Sequence, residues 1–152
     1  MPTLTTAQIG KAGELLVQLR LLQLGVDSSH MTTDAGIDLV AYYPKSKRAA
    51  TIQVKTNDRP KPSGGKGKLA LDWWLPENNP AELIALVDLS ELRVWLFTHP
   101  EVVASAQQKS GGRLHLYMYT DPSKSPSKDK RPVLEREFTQ YLLANRAHLV
   151  EA

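Results

Sequence analysis

Cysteine is absent from the 152 residues, which excludes disulfides and thiolate metal sites alike. No apolar run approaches the roughly 18 residues of a membrane-spanning helix. Met1–Ile9 lacks the basic-then-apolar pattern of a secretory leader. These absences predict an intracellular, cytoplasmic protein with no membrane partner. The sequence also lacks a P-loop, a glycine-rich dinucleotide fingerprint, a nucleophile elbow and an HExxH pair. Its four histidines, His30, His99, His115 and His148, are scattered, and none forms a metal-spaced pair. They read as surface or core residues. Charge of neither sign dominates. Lys and Arg number 19 against 16 Asp and Glu, giving a net charge of +3 and a pI of about 9.2. That balance permits a nucleic-acid partner without requiring one.

What is present is a globular composition. Hydrophobic residues make up 41% and charged residues 23%, enough for one domain over residues 1–152 with a core of its own. Thr5 or Thr6 can cap a helix from Ala7 to about Leu24, and Gly25 suits its end. Ile9, Ala12, Leu16 and Leu19 form one stripe, and Val17, Leu21 and Leu24 a second. A helix apolar on more than one side is expected to be largely buried. Glu14 interrupts the second stripe. It is either paired on the surface with Lys11 or Gln18, or aimed at a site.

Further along, Val26–Thr33 reads as a turn and a short strand. Leu69–Leu75 reads as a strand whose adjacent Trp73 and Trp74 point to opposite faces, one into the core. The outer ring packs under a loop or stacks on a base. Leu83–Leu89 and Arg93–Thr98 form a hairpin. Pro100–Gln108 is expected to be a short helix ended by Gly111 and Gly112, followed by a strand over Arg113–Thr120. Asp121–Arg131 is a Pro-, Ser- and Lys-rich surface loop, and Val133–Val150 a final helix. No internal repeat is visible. This order predicts an α/β or α+β fold, a mixed sheet with helices on its faces.

The stretch that organises the chain is Gly36–Thr56, GIDLVAYYPKSKRAATIQVKT. Two apolar arms flank a basic turn near Ser46, which sets Asp38 across from about residue 54. Gln53 and Lys55 share one face of the second arm. An acid, an amide and an ammonium at one point suit a hard cation and a phosphate. The plainer alternatives are a turn-capping Asp38 and polar residues facing solvent. The loop that follows, Asn57–Lys68, carries Arg59, Lys61, Lys66 and Lys68. It is either a solvated loop or an arm gripping phosphates.

Glu14 on a helix, Asp38 on a strand and Gln53-Val54-Lys55 on the next strand together resemble the PD-(D/E)XK nuclease superfamily, the restriction-endonuclease-like fold that includes Holliday junction resolvases and some homing endonucleases. The resemblance covers Gly10–Glu14, Gly36–Val40 and Ile52–Thr56, about the first third of the chain. Gln53 stands where Glu or Asp is usual, and Ala35-Gly36-Ile37 where a proline often precedes the acid. The resemblance implies a mixed sheet core flanked by helices and a catalytic set of Glu14, Asp38, Gln53 and Lys55. Glu14, Asp38 and Gln53 would hold Mg²⁺ or Mn²⁺, and Lys55 would orient the attacking water and offset transition-state charge. It also implies DNA as partner, with contacts from Lys11, Thr56, Arg59, Lys61, Lys66 and Lys68, and a homodimer, since cutting two strands takes two symmetry-related sites. Trp73 or Trp74 and the Leu83–Phe97 hairpin would offer surface for that dimer. The function implied is metal-dependent DNA endonuclease. Two other readings remain: a catalytically degenerate binding module of the same fold, and a structural subunit without nucleic-acid affinity.

Overall fold

The computed structural model describes residues 2–33, 35–126 and 131–151. Helix α1 (Thr6–Gln23) begins with a reciprocal capping box. The Thr5 hydroxyl accepts from the Gln8 N–H at 3.2 Å, and the Gln8 side chain accepts from the Thr5 N–H at 2.9 Å. Such a box satisfies two donors that the helix start leaves unpaired. Gly25 follows its end with φ 77°, a left-handed turn that glycine takes without strain. The chain then runs through β1 (Asp27–His30), β2 (Leu39–Tyr43), β3 (Arg48–Asn57), β4 (Lys61–Pro62), β5 (Leu69–Pro76), β6 (Leu83–Asp88) and β7 (Arg93–Thr98). Helix α2 (His99–Ser105), β8 (Gln108–Ser110), β9 (Arg113–Tyr119), two 3₁₀ segments (Glu135–Tyr141, Leu143–Asn145) and α3 (His148–Glu151) complete it.

The strands form two sheets rather than one. A five-stranded sheet has the order β1-β2-β3-β6-β7, and a four-stranded sheet the order β4-β5-β9-β8. All pairs are antiparallel except β3 with β6. The protein is therefore a mixed α+β fold with flanking helices. Side-chain alternation on the five-stranded sheet makes two cores. On one face Leu39, Ala41, Ile52, Val54 and Ala85 pack against Leu16, Val17 and Leu21 of α1. On the other, Ile84, Leu86, Trp95 and Phe97 meet Leu71, Trp73, Leu75, Leu116 and Met118 of the four-stranded sheet.

Several sequence expectations change. Helix α1 buries a single face, Gly13, Leu16, Val17 and Leu21. Leu15, Leu19 and Leu22 remain 53%, 49% and 58% exposed, because none of the described residues covers the side turned away from the sheet. Gly111 and Gly112 do not end a helix. Both have positive φ and make the tight turn between β8 and β9, where Ser110 pairs with Arg113, a geometry that favours glycine. The Asn57–Lys68 stretch is not all loop. Lys61 and Pro62 pair with Ala70 and Leu69, so its tip is a hairpin.

The expected helix over 133–150 breaks into short pieces. Leu142 is extended and bridges to Trp95 at the edge of β7, which interrupts the helical ladder. The apolar positions still bury Leu134, Phe138 and Leu143, because a 3₁₀ turn also repeats every three residues. Glu101 ties this strap down. It accepts from the Thr98 N–H at 2.8 Å and pairs with Arg146. Burial pushes its pKa up, but these bonds outweigh burial and hold it below the ordinary value. In the Leu83–Phe97 hairpin β6 is buried throughout between the two cores, and the apolar surface left to the hairpin is Leu92 at its turn, 55% exposed. Part of the 121–131 loop, residues 127–130, lies outside the described residues.

Candidate active site

Asp38 sits just before β2, and its two hydrogen bonds to β3 fix it there. Its N–H donates to the Ile52 carbonyl at 2.9 Å, beside the Leu39–Ile52 pair at which the ladder begins. The next donor on β3 is the Val54 N–H, and the Asp38 carboxylate accepts it through Oδ2 at 2.7 Å. The side chain thus replaces the backbone partner lost as the chain turns away at Gly36, where φ is 81°. A Cβ at Gly36 would also lie 2.9 Å from Pro80 Cγ, so this turn packs closely on the segment before β6.

The β2–β3 register begins at Leu39 with Ile52, and Asp38, just before it, reaches the backbone of residue 54 with its carboxylate. Residues paired on neighbouring strands share a face. Gln53 pairs with Ile84 and Lys55 with Leu86 on β6, and both partners belong to the core beneath the four-stranded sheet. Gln53 and Lys55 therefore lie on the face opposite α1, and the Asp38 carboxylate meets β3 at the Val54 N–H, the backbone donor between them. Gln53 is buried, at 5% exposure, and its Oε1 accepts from Asn79 Nδ2. Asn79 is itself oriented, since its Oδ1 accepts from the Ala81 N–H at 2.9 Å. Sequence reasoning missed Asn79. The Asn-Pro pair signals a turn, and nothing local tells which side chain that turn delivers to β3.

The other expected site residues lie on α1, at the end of β3 and around the β4–β5 hairpin. Glu14 is on the α1 side, with Oε2 3.8 Å from His30 Nδ1, and Lys11 Nζ lies 3.4 Å from the same ring's Nε2. His30 is thus part of a small polar cluster with both. Thr56 belongs to the α1 face, where its Oγ1 is buried against Gly13. The hydroxyl is buried there although the residue as a whole is half-buried. Arg59, Lys61, Lys66 and Lys68 are all exposed around the β4–β5 hairpin, and Arg59 pairs with Asp58 at 3.2 Å.

The donor chemistry at the seam suits a hard cation. Asp38 has a second carboxylate oxygen, and Gln53 Oε1 has a second lone pair beside the one Asn79 occupies. Among the described residues no three His, Asp or Glu side chains cluster as a cage. A site with so few protein ligands fits an ion that keeps much of its water, as Mg²⁺ does, better than one that needs a full protein shell.

The arrangement is that of a mixed α+β fold carrying an acid, an amide and a lysine on adjacent strands. The sequence matches no family profile, and no curated protein sequence is significantly similar to it. Among solved structures the fold is similar to that of a bacterial homing endonuclease, I-Ssp6803I, with a TM-score of 0.61 over 98% of this chain and 93% of that one. Sequence identity is 16%, so the likeness is one of fold. No helix among the described residues is long and apolar enough to cross a membrane.

Proposed function

We propose that this protein is a metal-dependent DNA endonuclease of the PD-(D/E)XK type that hydrolyses phosphodiester bonds. The observation that carries the reading is the Asp38 carboxylate on the Val54 N–H, between Gln53 and Lys55 on β3. The likeness in fold to a homing endonuclease supports it. A bound Mg²⁺ or Mn²⁺ would supply Lewis-acid stabilisation and a more acidic water. Asp38 and Gln53 would hold the ion, with Asn79 fixing the Gln53 oxygen as a second-layer partner. Glu14 would act from the α1 side. Lys55 would orient the attacking water and offset the negative charge that develops at the phosphate. Lys11, Arg59, Lys61, Lys66 and Lys68 would contact the DNA backbone, and their loss should weaken binding without regard to sequence. The test is nicking of supercoiled plasmid by the folded protein with Mg²⁺ or Mn²⁺. Cutting of no linear, supercoiled or branched DNA defeats the proposal.

One observation favours the degenerate, DNA-binding reading. Gln53 is neutral and its oxygen is already engaged by Asn79, which lowers the charge offered to a cation. Gln53→Glu separates the two readings. A carboxylate can accept from Asn79 with one oxygen and ligate with the other, so Mg²⁺ or Mn²⁺ affinity should rise by about tenfold. Calorimetry on both forms reads it, and equal affinities would count against residue 53 as a ligand.

A homodimer would form through α1. Its exposed Leu15, Leu19 and Leu22 line a groove of about 420 Å³ together with Gln18, Asp27 and Ser28. Three leucines at helical spacing left in water invite cover. Lys11 stands before the stripe and Asp27 after it, so a two-fold axis near Leu19 brings opposite charges together. Leu19→Glu should convert a dimer to monomers in sedimentation equilibrium. A wild-type monomer at micromolar concentration removes the dimer.

A further inference from the structure

The outer face of the four-stranded sheet carries chemistry that the β2–β3 seam does not use. Strand β9 sends Leu114, Leu116 and Met118 into the core and turns Arg113, His115, Tyr117 and Tyr119 outward. On β5, Trp74 pairs with His115. Their rings stack at 4.2 Å and 4°. His115 is held in that plane, with Nε2 3.0 Å from Asp72 Oδ2 and Nδ1 3.2 Å from Gln108 Oε1. The next rings follow at 5.3 Å to Tyr117 and 5.4 Å to Tyr119. Burial, then the neighbouring Tyr119, raises the Tyr117 pKa above its ordinary value, so the phenol stays neutral.

A cation stands at each end of this row. The Arg113 guanidinium lies 5.3 Å over Trp74, and Lys68 Nζ lies 5.4 Å over Tyr119. Both cations are exposed, and the rings between them are partly so. The seven residues of β9 span about 20 Å at ~3.4 Å per residue, the scale of a short single-strand site. Aromatic faces flanked by cations match what an unpaired strand offers, base planes joined by phosphates. A duplex hides its base planes in the stack. The face also lies on the side of the five-stranded sheet to which Gln53 and Lys55 point. Asn57, near the end of β3, ties the two sheets together through both hydrogen bonds to the Asp72 backbone, at 2.8 and 3.0 Å.

We propose that this face binds single-stranded DNA, with bases against Trp74, Tyr117 and Tyr119 and phosphates against Arg113 and Lys68. The proposal rests on DNA being the partner but not on cleavage. Trp73 and Trp95 are 3% and 0% exposed, so Trp74 is the tryptophan that a stacked base can quench. In metal-free buffer, an oligo-dT strand of about ten nucleotides should quench the wild-type fluorescence and bind more tightly than a duplex of equal length. Trp74→Ala should weaken binding about tenfold. Trp74→Phe keeps a ring, so it should still bind but lose the quench. If Trp74→Ala fails to fold, Trp74→Phe and the exposed-site variant Arg113→Ala decide the question. A quench that persists in Trp74→Phe, or Arg113→Ala binding dT as tightly as wild type, overturns the proposal. So do an unquenched wild type and equal or tighter binding of the duplex. Plasmid nicking is scored separately. Nicking without dT binding sinks this face and leaves the nuclease, and dT binding without nicking does the reverse.

Discussion

Lys55→Ala is expected to lower plasmid nicking by about 10²–10³-fold, the usual loss when one transition-state donor is removed, while DNA and metal still bind. The ammonium matters most as charge develops on the phosphate, so its removal should fall on the rate and spare ground-state affinity. Asp38 needs a different variant. Its carboxylate accepts the Val54 N–H, so Asp38→Ala removes a metal ligand and also leaves a part-buried donor unsatisfied, at about 1–3 kcal/mol. Asp38→Asn keeps an oxygen for Val54 and removes only the charge. It should fold normally and lose both metal affinity and cleavage. Circular dichroism and thermal melting accompany the assays. If wild type cuts DNA and Lys55→Ala cuts equally well, the role of Lys55 is wrong although the nuclease reading survives.

The contrast between these variants reflects what local sequence can and cannot specify. The β2–β3 hairpin was legible because alternation and a short turn fix register to about one residue. Leu39 came out opposite Ile52, and the Asp38 carboxylate meets the backbone of residue 54. The α1 cap was legible because a threonine, a residue type that favours the N-cap, stands just before the first apolar stripe. The second sheet was not. Its pairing of β5 with β9 joins Ala70 to Tyr119 across more than forty residues, and nothing local encodes that partner. The C-terminal strap misled because apolar spacing does not distinguish an α-helix from 3₁₀ turns broken by a β-bridge at Leu142. Asn79 escaped for the same reason as the second sheet, since its partner Gln53 lies 26 residues away.

Gly13→Val should lower the melting temperature by about 6–12 °C. A Cβ at Gly13 would lie 1.8 Å from Thr56 Oγ1, 2.8 Å from Thr56 Cβ and 2.9 Å from Thr56 Cγ2. Rotating Thr56 cannot clear the space, because its own Cβ is too close. The helix must lift from β3. Overpacking of this kind costs about 3 kcal/mol at the upper end of its usual range, and each kcal/mol shifts the transition by ~2–4 °C in a chain of this size. The lift would also reach the site. Thr56 adjoins Lys55 on β3, and Glu14 follows Gly13 on α1, so nicking should fall along with stability. Thr56→Gly in the same chain removes the clashing atoms and should recover part of the melting temperature, a coupling expected of residues in contact. Equal melting of Gly13→Val and wild type would mean that α1 does not approach β3 as closely as Gly13 allows. Loss of stability with full nicking activity would separate this contact from the chemistry and leave Glu14 without a catalytic role.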